Sequence, residues 1–278
     1  MFKEKDRQTR AMYVNVPFPF VSFEDFFLFR EGFLATLRGI INLDELNGKR
    51  ILDAGCGTGE KACILAELAG EVVAADFSPA SIARARENKE RLGLKNIEFV
   101  ESSLLSFDNV KEMEKFDIVF CSGVLHHLSD PYAGWRNIIS CLKPGGLVIV
   151  GLYHRFGYFN HWWKNKLINQ LAGEDEERKF KLAAKLFYFR EDAKNQSGRA
   201  KFFDSFVHPQ VAIISMSHVY KNWFRPHNVS VTGVSAKDSG SKFVLSELSG
   251  VGLRLALIDL WFSLRQKGFV FISGIKKK

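Results

Sequence analysis

An α/β fold built on a mostly parallel, doubly wound sheet is what the sequence predicts, and three observations carry that prediction. Short apolar runs, Arg50–Asp53, Glu71–Ala75 and FDIVFCSG, alternate with segments of helical periodicity, the pattern of βαβ units with helices on both faces of a sheet. The first run ends in Asp53 and a turn with glycine at every second position, Gly55, Gly57 and Gly59. Such a strand-to-helix turn lets a ligand approach the bare backbone closely. Hydrophobic residues are 46% and charged residues 25% of the 278 positions, which suits one large α/β core with insertions.

Residues 1–47 read as an aromatic arm and a helix that together form a lid. YVNVPFPF is extended and punctuated by proline. Ser22 then caps a helix whose apolar positions Phe26, Phe29, Phe33, Leu37 and Ile40 recur at helical spacing, with Glu24 and Asp25 in its first turn. Asn47-Gly48 turns the chain into the first strand.

Residues 48–154 form the ligand-binding core. A helix over Lys61–Leu68, the strand Glu71–Ala75, a helix from Pro79 to about Leu92 and the strand Asn96–Val100 follow one another. FDIVFCSG is a fourth strand, Pro131–Leu142 a helix, and LVIVGLYH a fifth strand after a break at Lys143-Pro-Gly-Gly146. Residues 155–208 are a helical insertion or cap. Residues 209–278 return to the sheet through VSVTGVS and GFVFISGI, separated by a long helix over Phe243–Arg265.

The turn reads Gly55-Cys-Gly57-Thr-Gly59, with Glu60 where a dinucleotide-binding turn carries its third glycine. A pyrophosphate there would meet the Asp53 carboxylate at close range, whereas a cationic ligand gains from it. S-adenosyl-L-methionine, with a sulfonium and an α-ammonium, is such a ligand. Asp76 ends the second strand beyond the turn, where an acid accepts hydrogen bonds from ribose hydroxyls. Phe77 beside it offers an apolar face to a base.

ILDAGCGTGE, VVAADFSPASI, FDIVFCSGVLHHLSDP and LKPGGLVIV resemble the successive motifs of class I S-adenosylmethionine-dependent methyltransferases of the small-molecule type, akin to methyltransferase domains 11 and 12. The resemblance covers roughly residues 48–153 and returns more weakly over 210–275. It implies a Rossmann-like seven-stranded sheet whose last strand, Phe269–Ile275, is antiparallel. It also implies that Asp53, Gly55, Cys56, Gly57 and Gly59 hold the methionine portion of the cofactor. Asp76, with Phe77 and Ser78 beside it, would hold the ribose. The sequence departs from the family at Ser102-Ser103, where a glycine-aspartate pair usually contacts the adenine. Cys121 and Ser122 would line the methionine side.

Methyl transfer is an in-line displacement in which a protein aligns the partners and, where needed, removes a proton. His126 follows the fourth strand with His127, and His154 ends the fifth strand, facing the same opening. In FFDSFVHPQ, Asp204 and His208 stand four apart, and Asp204 would orient His208 as a base or bind a substrate amine. These four residues, His154, His208, Asp204 and His126, are the expected catalytic set.

The expected acceptor is a small molecule, apolar or planar, given Tyr13, Phe18, Trp162 and Trp163 near the opening. The net charge of +8 makes an RNA (tRNA) methyltransferase the alternative, although no NPPY-like signature follows the fourth strand. A non-catalytic scaffold retaining the fold is a second alternative. Cys56, Cys63, Cys121 and Cys141 show no CxxC spacing and read as buried thiols of a cytoplasmic protein. The charged start MFKEKDRQTR does not read as a signal peptide. No metal site and no stable membrane insertion are expected; a buried helix accounts for LRLALIDLWF.

Overall fold

Parallel strands enclosed on both faces read as continuous runs of small and branched apolar residues, because neither face meets water. Val72, Val73, Ala74 and Ala75 are all fully buried, which places their strand inside the sheet. The structure, a computed structural model, describes residues 4–278 apart from 16, 20, 156, 188–199, 201, 205–207, 209–210, 237–241, 245–249 and 266. The strands are β1 (Arg50–Ala54), β2 (Glu71–Asp76), β3 (Ile97–Glu101), β4 (Phe116–Ser122), β5 (Leu142–Tyr153), β6 (Val229–Ala236), β7 (Lys242–Val244) and β8 (Phe269–Lys276). They lie in the order β3-β2-β1-β4-β5-β8-β6-β7. β1 to β5 pair in parallel, and β8 runs antiparallel to both β5 and β6. The expected seven-stranded sheet is therefore present, with the short β7 added at one edge.

The described helices of more than one turn are α1 (Glu4–Asn15), α2 (Phe23–Arg38), α3 (Glu60–Leu68), α4 (Pro79–Arg91), α5 (Pro131–Ser140), α6 (Phe159–Ala172), α7 (Glu176–Phe187) and α8 (Val251–Leu264). Alternate residues along each strand feed two cores. Leu52, Val73 and Val150 face a cluster with Trp135 of α5 and Phe262 of α8. Ile51, Val72 and Ile149 face another with Leu37 of α2 and Cys63 of α3. A third, small cluster joins Met12 of α1 to Ile168 of α6, Ala183 of α7 and Phe202. The N-terminal helix and the insertion thus share a core of their own.

Local signals explain the helix starts. The Ser22 side chain accepts from the Asp25 N–H, Ser78 accepts from Ser81 N–H ahead of Pro79, and Asp130 accepts from Ala133 N–H ahead of Pro131. Three expectations are corrected. The arm is not extended at its start: Tyr13 and Val14 belong to α1, and only from Pro17 onward does the chain leave the helix, with a cis bond between Phe18 and Pro19. The helix expected over Phe243–Arg265 begins only at Val251, behind Gly250 at φ 90°. Phe243 instead pairs in β7 and packs its ring on Trp261 and Phe262. Lys143-Pro-Gly-Gly146 does not interrupt β5; the ladder absorbs it as a register shift opposite Phe116 and Ile118.

Candidate functional site

β1 delivers Asp53 to the carboxyl edge of the sheet, and the backbone then turns sharply into α3. Gly57 sits at φ 55°, and a Cβ there would lie 2.2 Å from the Phe18 carbonyl oxygen. Only glycine permits so close an approach. The turn is locked from above, since Thr58 N–H donates to Phe18 O and Val21 N–H to the buried Glu60 carboxylate. Glu60, which stands where a third glycine was sought, therefore holds the N-terminal segment down on the turn. Its other oxygen accepts from the Thr58 hydroxyl at 2.6 Å.

Two carboxylates face each other across this turn. Asp76 accepts from Gly57 N–H at 3.0 Å and from Ser78 N–H at 2.9 Å. Burial raises its pKa, and these backbone hydrogen bonds pull it back to about 6. Asp53 is buried, and its Oδ2 has no hydrogen-bond partner. Burial pushes it up to about 7, with Lys61 opposing and Asp76 adding to the rise. A buried carboxylate with an unpaired oxygen on a cavity wall is ionised more readily beside a cation. Lys61 Nζ donates to Ser122 Oγ at 3.1 Å and brings a positive charge to the same wall.

A cavity of about 660 Å³ opens here, inside the range of roughly 300–1,000 Å³ usual for small-molecule sites. Of the residues expected to bind a cofactor, Asp53, Gly55, Cys56, Gly57, Asp76, Phe77, Ser102, Ser103 and Ser122 line it. Three do not. Gly59 starts α3 behind the turn, Ser78 caps α4, and Cys121 lies in the core below with its thiol raised by burial. On the Ser102 side, the Ser102 hydroxyl donates to Asn109 Oδ1 at 2.9 Å, and Asn109 also lines the cavity.

α1 roofs the cavity with Asp6, Arg7, Thr9, Arg10 and Tyr13. It is fastened at four points. Asp6 accepts from Ser129 N–H at 3.1 Å and from the Ser129 hydroxyl at 2.5 Å, and Arg10 pairs with Glu101 at 2.9 Å. The Ser78 hydroxyl donates to Tyr13 O, and the Tyr13 hydroxyl donates to Asp204 at 2.6 Å.

The expected catalytic residues do not converge on the opening. His154 is fully buried with Nε2 2.8 Å from Asp259, on the far side of the wall. His126 is also fully buried, accepts from Tyr153 N–H, and is held well below the usual imidazole range by burial and by His127. Neither lines the cavity, and both expectations are corrected: a histidine at a strand end faces whichever layer its backbone register dictates. His127 is the described histidine that does reach the cavity. Its Nε2 lies 3.4 Å from Asp204 Oδ1, and the His208 ring lies against it, tilted by 33° with the ring centres 3.9 Å apart. Asp204 also accepts from the Tyr153 hydroxyl at 2.8 Å. Burial alone would raise Asp204, but His127, His208 and the Tyr13 hydrogen bond hold it well below the usual carboxylate range. Asp204 thus faces His127 in addition to His208, the residue with which the sequence had paired it. Lys61 and Asn109 were missed: Lys61 follows the turn by two residues and was legible, whereas Asn109 is brought in only by tertiary packing.

Residues 45–196, more than half of the chain, match the family described as a methyltransferase domain. An uncharacterized protein of Synechococcus sp. is 31% identical over 212 residues, 70% of this chain and 50% of its own length. A ubiquinone biosynthesis O-methyltransferase of Cereibacter sphaeroides is 36% identical over 108 residues, 39% of this chain and 42% of its own. The chain spans half, or less than half, of the length of these curated relatives. PKMT2 from Rickettsia typhi, solved with AdoHcy, shares the fold at a TM-score of 0.58 and 15% identity over 88% of this chain and 54% of that one.

Proposed function

The chain belongs to the methyltransferase-domain family, of the class I S-adenosylmethionine-dependent type, and from that premise we propose that it methylates a small-molecule acceptor. The observation that carries the cofactor reading is the buried, partnerless Asp53 Oδ2 at the glycine turn, which suits the cationic methionine end of S-adenosylmethionine. Asp53 and the turn at Gly55–Gly57 would hold that end, with Lys61 beside it for the α-carboxylate. Asp76 has both oxygens anchored by backbone N–H groups and keeps lone pairs for the ribose hydroxyls. Ser102, Ser103 and Asn109 would read the adenine in place of a carboxylate.

When bound, the cofactor supplies an electrophilic methyl group. The chain's own part is to exclude water, orient the acceptor and take up its proton. His127 is positioned to be the base: it reaches the cavity, and Asp204 stands beside its Nε2 to stabilise the imidazolium that forms. α1 closes the roof. This pairing favours an acceptor that must lose a proton, such as a hydroxyl.

Calorimetric titration with S-adenosylmethionine, S-adenosylhomocysteine and NAD tests the reading. Micromolar binding of the first two and none of NAD is the expected result. Binding of NAD alone, or of none of the three, would overturn it.

A further inference from the structure

α8 buries Leu255, Ile258 and Phe262 against the sheet and turns a second apolar stripe outward. Leu253, Leu257, Leu260 and Leu264 are 70%, 59%, 55% and 76% exposed. Their spacing of four, three and four residues keeps them on one narrow arc of the helix. LRLALIDLWF is therefore not simply a buried helix; three of its four leucines, Leu253, Leu257 and Leu260, face out.

The charges of α8 are sorted by face. Arg254 and Arg265, at its two ends, are exposed. Its one acid, Asp259, is buried, accepting from Met216 N–H and Ser217 N–H and paired with His154. The outward surface of the helix is thus apolar and cationic, on a chain of net charge +8. Trp261 is half-buried beside the stripe, with the Arg265 guanidinium 5.8 Å from its ring centre.

Further apolar side chains are exposed on the helix that begins near the end of α8. A Cβ on Gly157 would lie 1.9 Å from Lys267 O, so the start of α6 abuts the chain that leaves α8. There Phe159 and Trp163, one turn apart, are also exposed. An apolar helical stripe with flanking arginines and a tryptophan beside it suits a helix lying in a membrane interface. Among the described residues no helix is long and apolar enough to cross a membrane. A second copy of the chain is a poorer occupant, because a two-fold contact on this face would bring two sets of arginines together.

We propose that α8 docks flat on an anionic lipid bilayer, with the leucine stripe among the acyl chains and Arg254 and Arg265 on lipid phosphates. The proposal goes beyond the methyltransferase reading and does not rest on it. Co-sedimentation of the full chain with vesicles of phosphatidylcholine alone, and of phosphatidylcholine with phosphatidylglycerol in equal parts, tests it. The chain should pellet with the anionic vesicles, and less so as salt screens the arginines. Leu257→Glu/Leu260→Glu should weaken that binding by at least about tenfold, from the apolar area withheld from lipid. Arg254→Glu/Arg265→Glu should also weaken it by at least about tenfold, and both variants should melt at the parent's temperature, since the altered side chains are exposed. Failure to pellet with anionic vesicles would overturn the proposal. So would undiminished binding by the leucine variant, or a parent dimer in sedimentation velocity that this variant dissolves.

Discussion

Asp53 is buried with an unpartnered oxygen, and its carboxyl titrates near 7 instead of the ordinary 3.8. Because the folded-state pKa is raised, the fold holds this proton more tightly than the unfolded chain. The stability it contributes is complete below about pH 4 and is lost as pH rises through 7. A cationic ligand requires the ionised form, so S-adenosylmethionine affinity should fall roughly tenfold per pH unit below 7. Titrations between pH 8 and pH 5 check this, and a flat profile would remove Asp53 from the cation's contacts. Asp53→Asn should melt higher than the parent at pH 8 in the absence of ligand. The same variant should bind S-adenosylmethionine at least a hundredfold more weakly, by about 3 kcal/mol, as expected when a buried charge loses its partner. His127→Ala and Asp204→Asn should each lower turnover by about a hundredfold, the usual worth of a positioned base. Their S-adenosylhomocysteine affinity should stay near the parent's; unaltered turnover would make the pair a structural tie.

At the scale of elements, α1 depends on what it touches. Its contacts with Ser129, Glu101, Ser78 and Asp204 come from four separate parts of the chain, and one of them ends on the carboxylate beside His127. The roof and the proposed base pair thus share Asp204 through the Tyr13 hydroxyl. Asp6→Ala/Tyr13→Phe should release S-adenosylhomocysteine several-fold faster in stopped-flow measurements, with the β-sheet melting little changed. An unchanged release rate would mean that Phe18 and Val21, which bind the glycine turn and Glu60, and not α1, retain the ligand. α8 shows the opposite dependence, since its inward face is decided by the sheet while its outward face answers to solvent or to a surface.

For the whole molecule, the sheet order places the cavity where β1 and β4 diverge toward opposite neighbours, the usual ligand crevice of such sheets. His154 ties two elements of this architecture together. It joins the end of β5 to α8 through Asp259, which burial would raise but which His154 and Ser217 hold below its ordinary range. His154→Ala should cost about 1–3 kcal/mol, as the loss of one partner of a buried carboxylate does, since Met216 and Ser217 still donate to Asp259. A denaturant melt measures that loss, and cofactor affinity should be retained; loss of affinity with full stability would return His154 to the site.

The sequence by itself determined what is local: strand and helix alternation, the Ser22, Ser78 and Asp130 caps, the glycine turn, and the acids at the ends of β1 and β2. Each of these follows from periodicity or from the conformational demands of a few adjacent residues. Phe243 and His154 were misread because their surroundings are set elsewhere in the chain, by Trp261 and Phe262 in one case and by Asp259 in the other. Only the tertiary structure decided which of the two adjacent histidines faces the cavity, brought Asn109 to Ser102, and set Asp204 beside His127 as well as near its sequence neighbour His208. The reason is physical: a side chain's partner 77 positions away in the chain is chosen by packing of whole elements, and no short stretch of sequence carries that choice.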